Sequence, residues 1–568
     1  MNISMRLLFF LLATVLVTPL FAQRSPGKYW VQFADKTGSP FSIQHPEDYL
    51  SQKSIDRREK IGFPINEQDL PVNPTYVQGV LALGNTRLHH TSKWMNAMTV
   101  EIIDTALVQS WRESVLQLPY VVEVRKVLAH SNGGSSFGTK EEQMEEEAVA
   151  KINGEMDSSK YGPSFHQIAM INGHLLHQLG YEGQGMNIAL LDGGWFATNT
   201  LPAFEALFSE GRIKQTRDFV TPAADSVFFK STHGTFVLSH MAGIIPDSLY
   251  GTAPKANYYL FRTEDVDREY LIEEDNWLAA AEYCDSLGID VINSSLGYSE
   301  FDDSTMNHTY ADMDGNTCVA SRAADMAAQR GILVVNSAGN SGNSPWYYIT
   351  APSDGDSVLC VGAVNADRLH AEFSSFGPSA DGDVKPNICT MGERTIFAAM
   401  DSTIRTGNGT SFSSPIMAGA AACLWQAFPH KTNMEIFRAI EQSASLYANP
   451  NDSLGHGIPD MWRAFQLLQN GQGEGQGQLT IYAYPNPTSN QVKVQWNGVV
   501  NDQSFYYVSD AQGKEVLKGN SWCYVAEKQY NELVLDMSNW SDGMYYFRLQ
   551  MEGASETISL QKITPHTR

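Results

Sequence analysis

The chain has 568 residues, 43% of them hydrophobic and 18% charged, which is globular in composition and too long for one ordinary domain. Its formal net charge of −24 argues against a nucleic-acid partner, because phosphate binding needs clustered lysine and arginine. None of Cys284, Cys318, Cys360, Cys389, Cys423 and Cys523 forms a CxxC pair, which argues against zinc and thioredoxin-like motifs and leaves each as a small buried hydrophobe.

Residues 1–22 place Arg6 before a mainly apolar run, 7–17, and end in Ala22, the pattern of an export signal cleaved after that residue. The run is short for a membrane span, and no later segment offers roughly 18 uncharged apolar residues in a row, so a soluble mature protein is expected. Between about Lys28 and Val127 a small mixed unit is expected. It has strands over 29–33, 99–103 and 120–124, a helix over 46–60 with acidic residues early and basic ones late, and a second helix over 105–116. Residues 131–159, rich in Gly, Ser, Glu and Lys, read as a solvated acidic linker.

From about Tyr161 to Gln469, short apolar runs at 188–191, 258–261, 291–293 and 332–335 suit strands buried on both faces. Helical stretches, 274–287 and 319–329 among them, lie between these runs, so an α/β unit with a largely parallel sheet is expected. Residues 470–478 alternate Gly with Gln and Glu and read as a flexible linker. Beyond them, alternating runs such as 492–496 and 545–549, separated by turn signals, suit an all-β sandwich.

The α/β unit carries the chemistry. Ser411 follows glycines that permit a tight turn and opens a stretch of small and apolar residues that reads as a buried helix. A serine there points its own N–H toward a developing oxyanion. The G-x-S-x-G elbow of α/β-hydrolases is excluded, since Ser413 stands where the closing glycine belongs. His233, followed by Gly234, begins another helical stretch, and Asp192 ends the 188–191 strand, where α/β sheets place ligands. A serine hydrolase needs this set: an activated hydroxyl, an imidazole, and a carboxylate that holds the imidazole. The chain order Asp, His, Ser is the subtilisin order and differs from those of chymotrypsin and the α/β-hydrolases. His240 reads as a structural helix residue. Asp312, Asp314 and Asn316 lack the remaining acidic positions of an EF-hand and read as solvated loop, and Gly183 and Gly185 precede a strand, which excludes a dinucleotide fingerprint.

In combination, these segments resemble the subtilisin family over roughly 300 residues. Residues 336–342 are similar to the family's oxyanion loop, which implies that the Asn340 amide is a second oxyanion donor. Residues 293–297 resemble the segment that pairs with an extended substrate and walls the P1 pocket, which implies that Ser295, Leu296 and Gly297 bind substrate. Gly193 stands where most relatives have Ser or Thr, which bears on local hydrogen bonding and not on the triad. The 348–352 loop is neutral, so uncharged, apolar P1 side chains are expected. No cofactor is expected; calcium supports many members of the family, and no ligand set is assigned.

The first block resembles a ferredoxin-like α+β propeptide of Bacteroidetes-type subtilases, which implies an intramolecular inhibitor. The last block, with Tyr484, Pro485, Asn486, Pro487 and Thr488 at its start, resembles a type IX (Por) sorting domain, which implies outer-membrane secretion machinery as a partner. The expected order is therefore signal peptide 1–22, propeptide 23–130, acidic linker 131–160, subtilisin-like peptidase 161–469, linker 470–478 and sorting domain 479–568. The expected product is a secreted or cell-surface serine endopeptidase acting on proteins or peptides. The alternatives are a processing peptidase for the cell's own exported proteins and a catalytically silent binding protein.

Overall fold

The computed structural model describes residues 27–128, 147–148 and 160–470, together with 481–484, 488, 490–496, 504–520, 523–525, 530–551 and 554–562. The expected signal segment and most of both linkers lie outside the described residues. The chain divides into two compact units, Met1–Leu468 and Gln469–Arg568.

The first unit begins with four antiparallel strands, Lys28–Phe33, Thr86–Ser92, Ala97–Ile102 and Val121–Leu128, paired in the order second, third, first, fourth. The intervening helices are Gln52–Ile61, Pro74–Ala82 and Val108–Leu116, a ferredoxin-like arrangement. Strand alternation divides the side chains between two cores. Tyr29, Val31 and Phe33 pack with Trp111 and Val115 inside this small domain, whereas Trp30 turns the other way, into a core shared with the large sheet. The expected helix over 46–60 is broken. A single 3₁₀ turn, Pro46–Asp48, precedes a helix that starts only at Gln52, because the Ser51 side chain accepts from Ser54 N and caps it there.

The large sheet is wholly parallel. Its seven strands run Ile388–Met391, Val358–Val364, Leu333–Ser337, Val291–Ser294, Asn187–Asp192, Asn257–Arg262 and Ile213–Asp218 from edge to edge. Helices cover both faces, and the uninterrupted apolar strands are the consequence. Ile188 and Leu190 enter the core under the helices His233–Ala242 and Thr410–Ala427, while Ala189 and Leu191 enter the one under Ile272–Leu287 and Val319–Gln329. Asn187–Asp192 is the first strand of the sheet in the chain. Later strands are added on both sides of it, so its carboxyl end opens at a topological switch point.

The second unit is two four-stranded antiparallel sheets. Within Gln491–Trp496 the buried residues are Val492, Val494 and Trp496, alternating with more exposed ones, and they share a core with Val508, Phe547 and Leu560. Of the cysteines, Cys284, Cys318, Cys360, Cys389 and Cys423 are buried free thiols.

Candidate active site

Asp192 is the last residue of its strand and is 1% exposed. Both of its carboxylate oxygens face His233 Nδ1, at 3.0 and 2.9 Å. Such a carboxylate fixes the imidazole's orientation and keeps the proton on Nδ1, leaving Nε2 as the basic nitrogen. The Gly193 N–H donates to Asp192 Oδ1 at 2.7 Å, so the backbone helps hold the carboxylate at a position that has no side-chain hydroxyl. A Cβ at position 193 would lie 2.7 Å from Val266 Cγ1, so a larger residue there would have to displace that methyl group. His233 is the first residue of its helix, and its N–H is taken by the Ser231 hydroxyl at 3.0 Å.

Ser411 lies at the second position of the helix Thr410–Ala427. This helix is buried on every side from Thr410 to Trp425, as the run of small and apolar residues dictates. Pro415 sits inside it and has no N–H to give to the carbonyl four residues back, which belongs to Ser411. The Ser295 hydroxyl fills that gap, donating to Ser411 O at 2.9 Å. Ser411 Oγ in turn reaches Ser295 O at 3.4 Å. The segment after the Val291–Ser294 strand is thereby tied to the turn that presents the Ser411 hydroxyl.

Asn340 follows the Leu333–Ser337 strand. Its Oδ1 accepts from both the N–H and the hydroxyl of Thr410, each at 2.8 Å, which fixes the amide beside Ser411. Asp192, His233, Ser295, Leu296, Gly297 and Ser411 together line one cleft of about 190 Å³, whose wall also includes Glu264 and Glu269. The structure thus brings the expected site residues around one place. Sequence reasoning missed the Thr410 clamp on Asn340 and the part played by the Ser295 hydroxyl. Pro415 was the available signal for the second, since a proline at that spacing leaves a helix carbonyl in want of a donor.

His240 is away from this chemistry. It is buried, bonded to Phe236 O and Thr395 Oγ1, and burial pushes its imidazole down to about 4. In the 312–316 loop Asp314 spends its carboxylate on the N–H groups of Asn316 and Thr317. Among the described residues, two groups bring three potential metal ligands within 4.8 Å of one another: Glu274, His308 and Cys318, and the exposed Asp356, Asp381 and Asp383. Glu274 is already engaged, with Oε1 on His308 Nε2 at 2.6 Å and Oε2 on Ala320 N at 3.0 Å. Neither group lines the cleft.

The likeness to known proteins follows these divisions. Residues 28–145 match the Bacteroidota peptidase S8 propeptide domain, 183–457 the subtilase family, and 482–563 the secretion system C-terminal sorting domain. Subtilisin NAT of Bacillus subtilis subsp. natto is 26% identical over 306 residues, covering 53% of this chain and 72% of the relative. The human membrane-bound transcription factor site-1 protease is 28% identical over 315 residues, 52% of this chain and 26% of that protein. Among solved structures, the MycP3 protease from the type VII (ESX-3) secretion system matches 55% of this chain and 89% of its own at 19% identity, with a TM-score of 0.41. No described helix is long and apolar enough to cross a membrane. The sorting domain directs type IX secretion to the cell surface or the extracellular space. The peptidase domain belongs to the subtilase family of serine-type endopeptidases, with a Bacteroidota-type propeptide domain before it and a secretion sorting domain after it.

Proposed function

We propose that Asp192, His233 and Ser411 are the catalytic triad of this endopeptidase and that it cleaves peptide bonds through an acyl-enzyme. His233 Nε2 takes the Ser411 proton as Oγ attacks the scissile carbonyl carbon, then gives it to the leaving amine. Water, deprotonated by the same nitrogen, releases the acid product and restores the serine. Asp192 stabilises the imidazolium formed in between. The oxyanion is received by the Ser411 N–H at the helix N-terminus and by the Asn340 amide. Ser295, Leu296 and Gly297 carry the substrate as an added strand. The propeptide is an intramolecular inhibitor of this site, and maturation separates the segments at 131–160 and 470–478.

The observation that carries the reading is the Asp192 carboxylate gripping His233 Nδ1 with both oxygens, in the cleft that also holds Ser411. Ser411→Ala tests it. The variant is expected to lose peptide hydrolysis and labelling by a fluorophosphonate while keeping the wild-type circular dichroism spectrum. Hydrolysis at the wild-type rate would overturn the assignment.

A further inference from the structure

Three side chains from separate elements converge where the amino ends of two helices meet. Glu274 stands in the first turn of Ile272–Leu287, and Cys318 immediately precedes Val319–Gln329. His308 lies in the loop that leads from the 295–298 segment to the second helix. One donor atom of each, a carboxylate oxygen, a ring nitrogen and the thiol sulfur, lies within 4.8 Å of the other two. Glu274 and Cys318 are almost wholly buried, while the His308 side chain is 12% exposed and opens the cluster to solvent on one side.

Capping does not account for the cysteine. Its position before a helix is one that Ser, Thr, Asp or Asn fills to accept a backbone N–H, and the Cys318 side chain accepts none. Glu274 Oε2 reaches across from the neighbouring helix instead and takes the Ala320 N–H at 3.0 Å. The thiol is left with a weak contact to Asp312 O at 3.4 Å, and the side chains whose charge bears on it, Glu274, Asp354, Asp312 and Asp314, are all acidic. His308 is aimed at the same point. Its N–H donates to Ser299 O at 2.8 Å, its ring meets Phe301 edge-on, and Nε2 lies 2.6 Å from Glu274 Oε1.

We propose that Glu274, His308 and Cys318 form a zinc site, with water as the fourth ligand. Thiolate, imidazole and carboxylate together suit a borderline-soft divalent ion, whereas calcium and magnesium take oxygen ligands. The charges match, since one carboxylate and one thiolate balance Zn²⁺ in a dry place where an unpaired charge is costly. Zinc replaces the proton between Glu274 Oε1 and His308 Nε2, the ring keeps its proton on Nδ1, and the thiol proton leaves to solvent. Bonds of roughly 2.0–2.3 Å set neighbouring donors ~3–4 Å apart, so the contact between Glu274 and His308 has only to open by about 1 Å. The lack of a CxxC pair argues against zinc motifs in which one short segment supplies the ligands; here three elements supply them. A metal in this place pins the 299–317 loop to both helices. The same loop braces the cleft wall, where Asp302 N donates to Glu269 O at 2.9 Å and Glu269 N to Asp302 Oδ2 at 3.3 Å. It also meets the propeptide domain, through Asp303 and Lys126 at 3.1 Å. The site steadies the cleft without entering the proposed triad and does not rest on that assignment.

The test uses the Ser411→Ala precursor, made without a metal-binding tag and stripped with a chelator. Zinc titrated in competition with a chromogenic chelator is expected to bind at about one ion per chain and to raise Tm. Cobalt in its place should give a thiolate-to-cobalt charge-transfer band. Cys318→Ser should abolish that band and weaken zinc binding by about a hundredfold or more, and His308→Gln should weaken it comparably. Asp381→Asn, in the exposed acidic group, and Cys523→Ser, in the second compact unit, should bind zinc as the parent does. If a ligand variant fails to fold, the cobalt spectrum of the Cys523→Ser protein decides alone. No charge-transfer band there, or zinc binding that survives Cys318→Ser undiminished, overturns the site and leaves Glu274 and His308 as a plain buried ion pair.

Discussion

Asp192 and Asp285 are both almost wholly buried, and the contrast between their surroundings separates the proposed catalytic site from the contact with the propeptide domain. Among the described residues Asp192 forms its ion pair with His233, which is 18% exposed at its side chain and open to the cleft. Asp285, on the helix Ile272–Leu287, receives three cations from the propeptide domain: Arg57 at 2.8 Å, Arg58 at 2.7 Å and Lys93 at 3.2 Å. The exchange is reciprocal, because Asp69 of the propeptide domain is shared between Arg58 and the peptidase's Arg330, each at 3.0 Å. Burial by itself would raise the Asp285 carboxyl, but Lys93, Arg58, Arg57 and Arg330 hold it well below the usual carboxylate range. A pair with one titratable partner can cycle its charge in every turnover. A carboxylate ringed by cations cannot, and acts as a lock. The propeptide domain is therefore held at a place remote in sequence from the proposed triad and of opposite electrostatic design.

Breaking the lock should give the largest change. In a precursor kept intact by Ser411→Ala, Asp285→Ala takes the carboxylate from Arg57 and Lys93 in a dry contact, leaves Arg58 to Asp69, and is expected to cost about 3–5 kcal/mol in denaturant unfolding. A loss near zero would mean that water reaches these cations in the precursor. On the catalytic side, Asn340→Ala should lower kcat by ~10²–10³ with little change in KM, a magnitude taken from a related subtilisin. Stopped-assay kinetics on a short peptide would show it, and an unchanged kcat would assign the oxyanion to another donor.

A subtler contrast lies within the same helix. Asp275 faces Thr99 and Arg125 of the propeptide domain, at 3.4 and 3.5 Å, and burial pushes its carboxyl up to about 7 despite Arg125. An exposed aspartate titrates near ~4, so the bound state keeps a proton that the separated state releases. The contribution of Asp275 to propeptide affinity is full below about pH 4 and is lost as the pH rises through 7. Glu282, also pushed up by burial, works in the same direction. His89 and His90, whose imidazoles burial pushes down, to about 3 for His90, work in the other. The ratio of propeptide Kd for wild type to that for Asp275→Asn isolates the one carboxylate, and should rise about tenfold or more from pH 5 to pH 8. A flat ratio would place Asp275 in water in the bound state. The smallest effect is expected from truncation after Gln469, which should leave kcat/KM on short peptides within about twofold, since it falls at the boundary between the two compact units. The same truncation should stop the protein from reaching the medium of its host.

Local chemistry was legible in the sequence wherever one element suffices to express it. The four apolar runs became strands of the parallel sheet, buried on both faces except at half-buried Tyr259, the 319–329 helix has the expected ends, and Asp192, His233 and Ser411 sit at a strand end and two helix starts, as their neighbours in sequence dictate. Elements whose pattern depends on a partner were not legible. The strand Thr86–Ser92 has no apolar alternation of its own and exists because Ala97–Ile102 pairs with it, and its Ser92 faces Glu282 of the peptidase. Tertiary structure alone decided which hydroxyl answers the carbonyl that Pro415 leaves open, which cations meet Asp285, and which side chain packs against Gly297. The physical reason is common to all three. Hydrogen bonding and desolvation are satisfied by whatever the fold brings within about 3 Å, and Ser295 with Ser411, Arg57 with Asp285 and Gly297 with Thr350 are far apart in the chain.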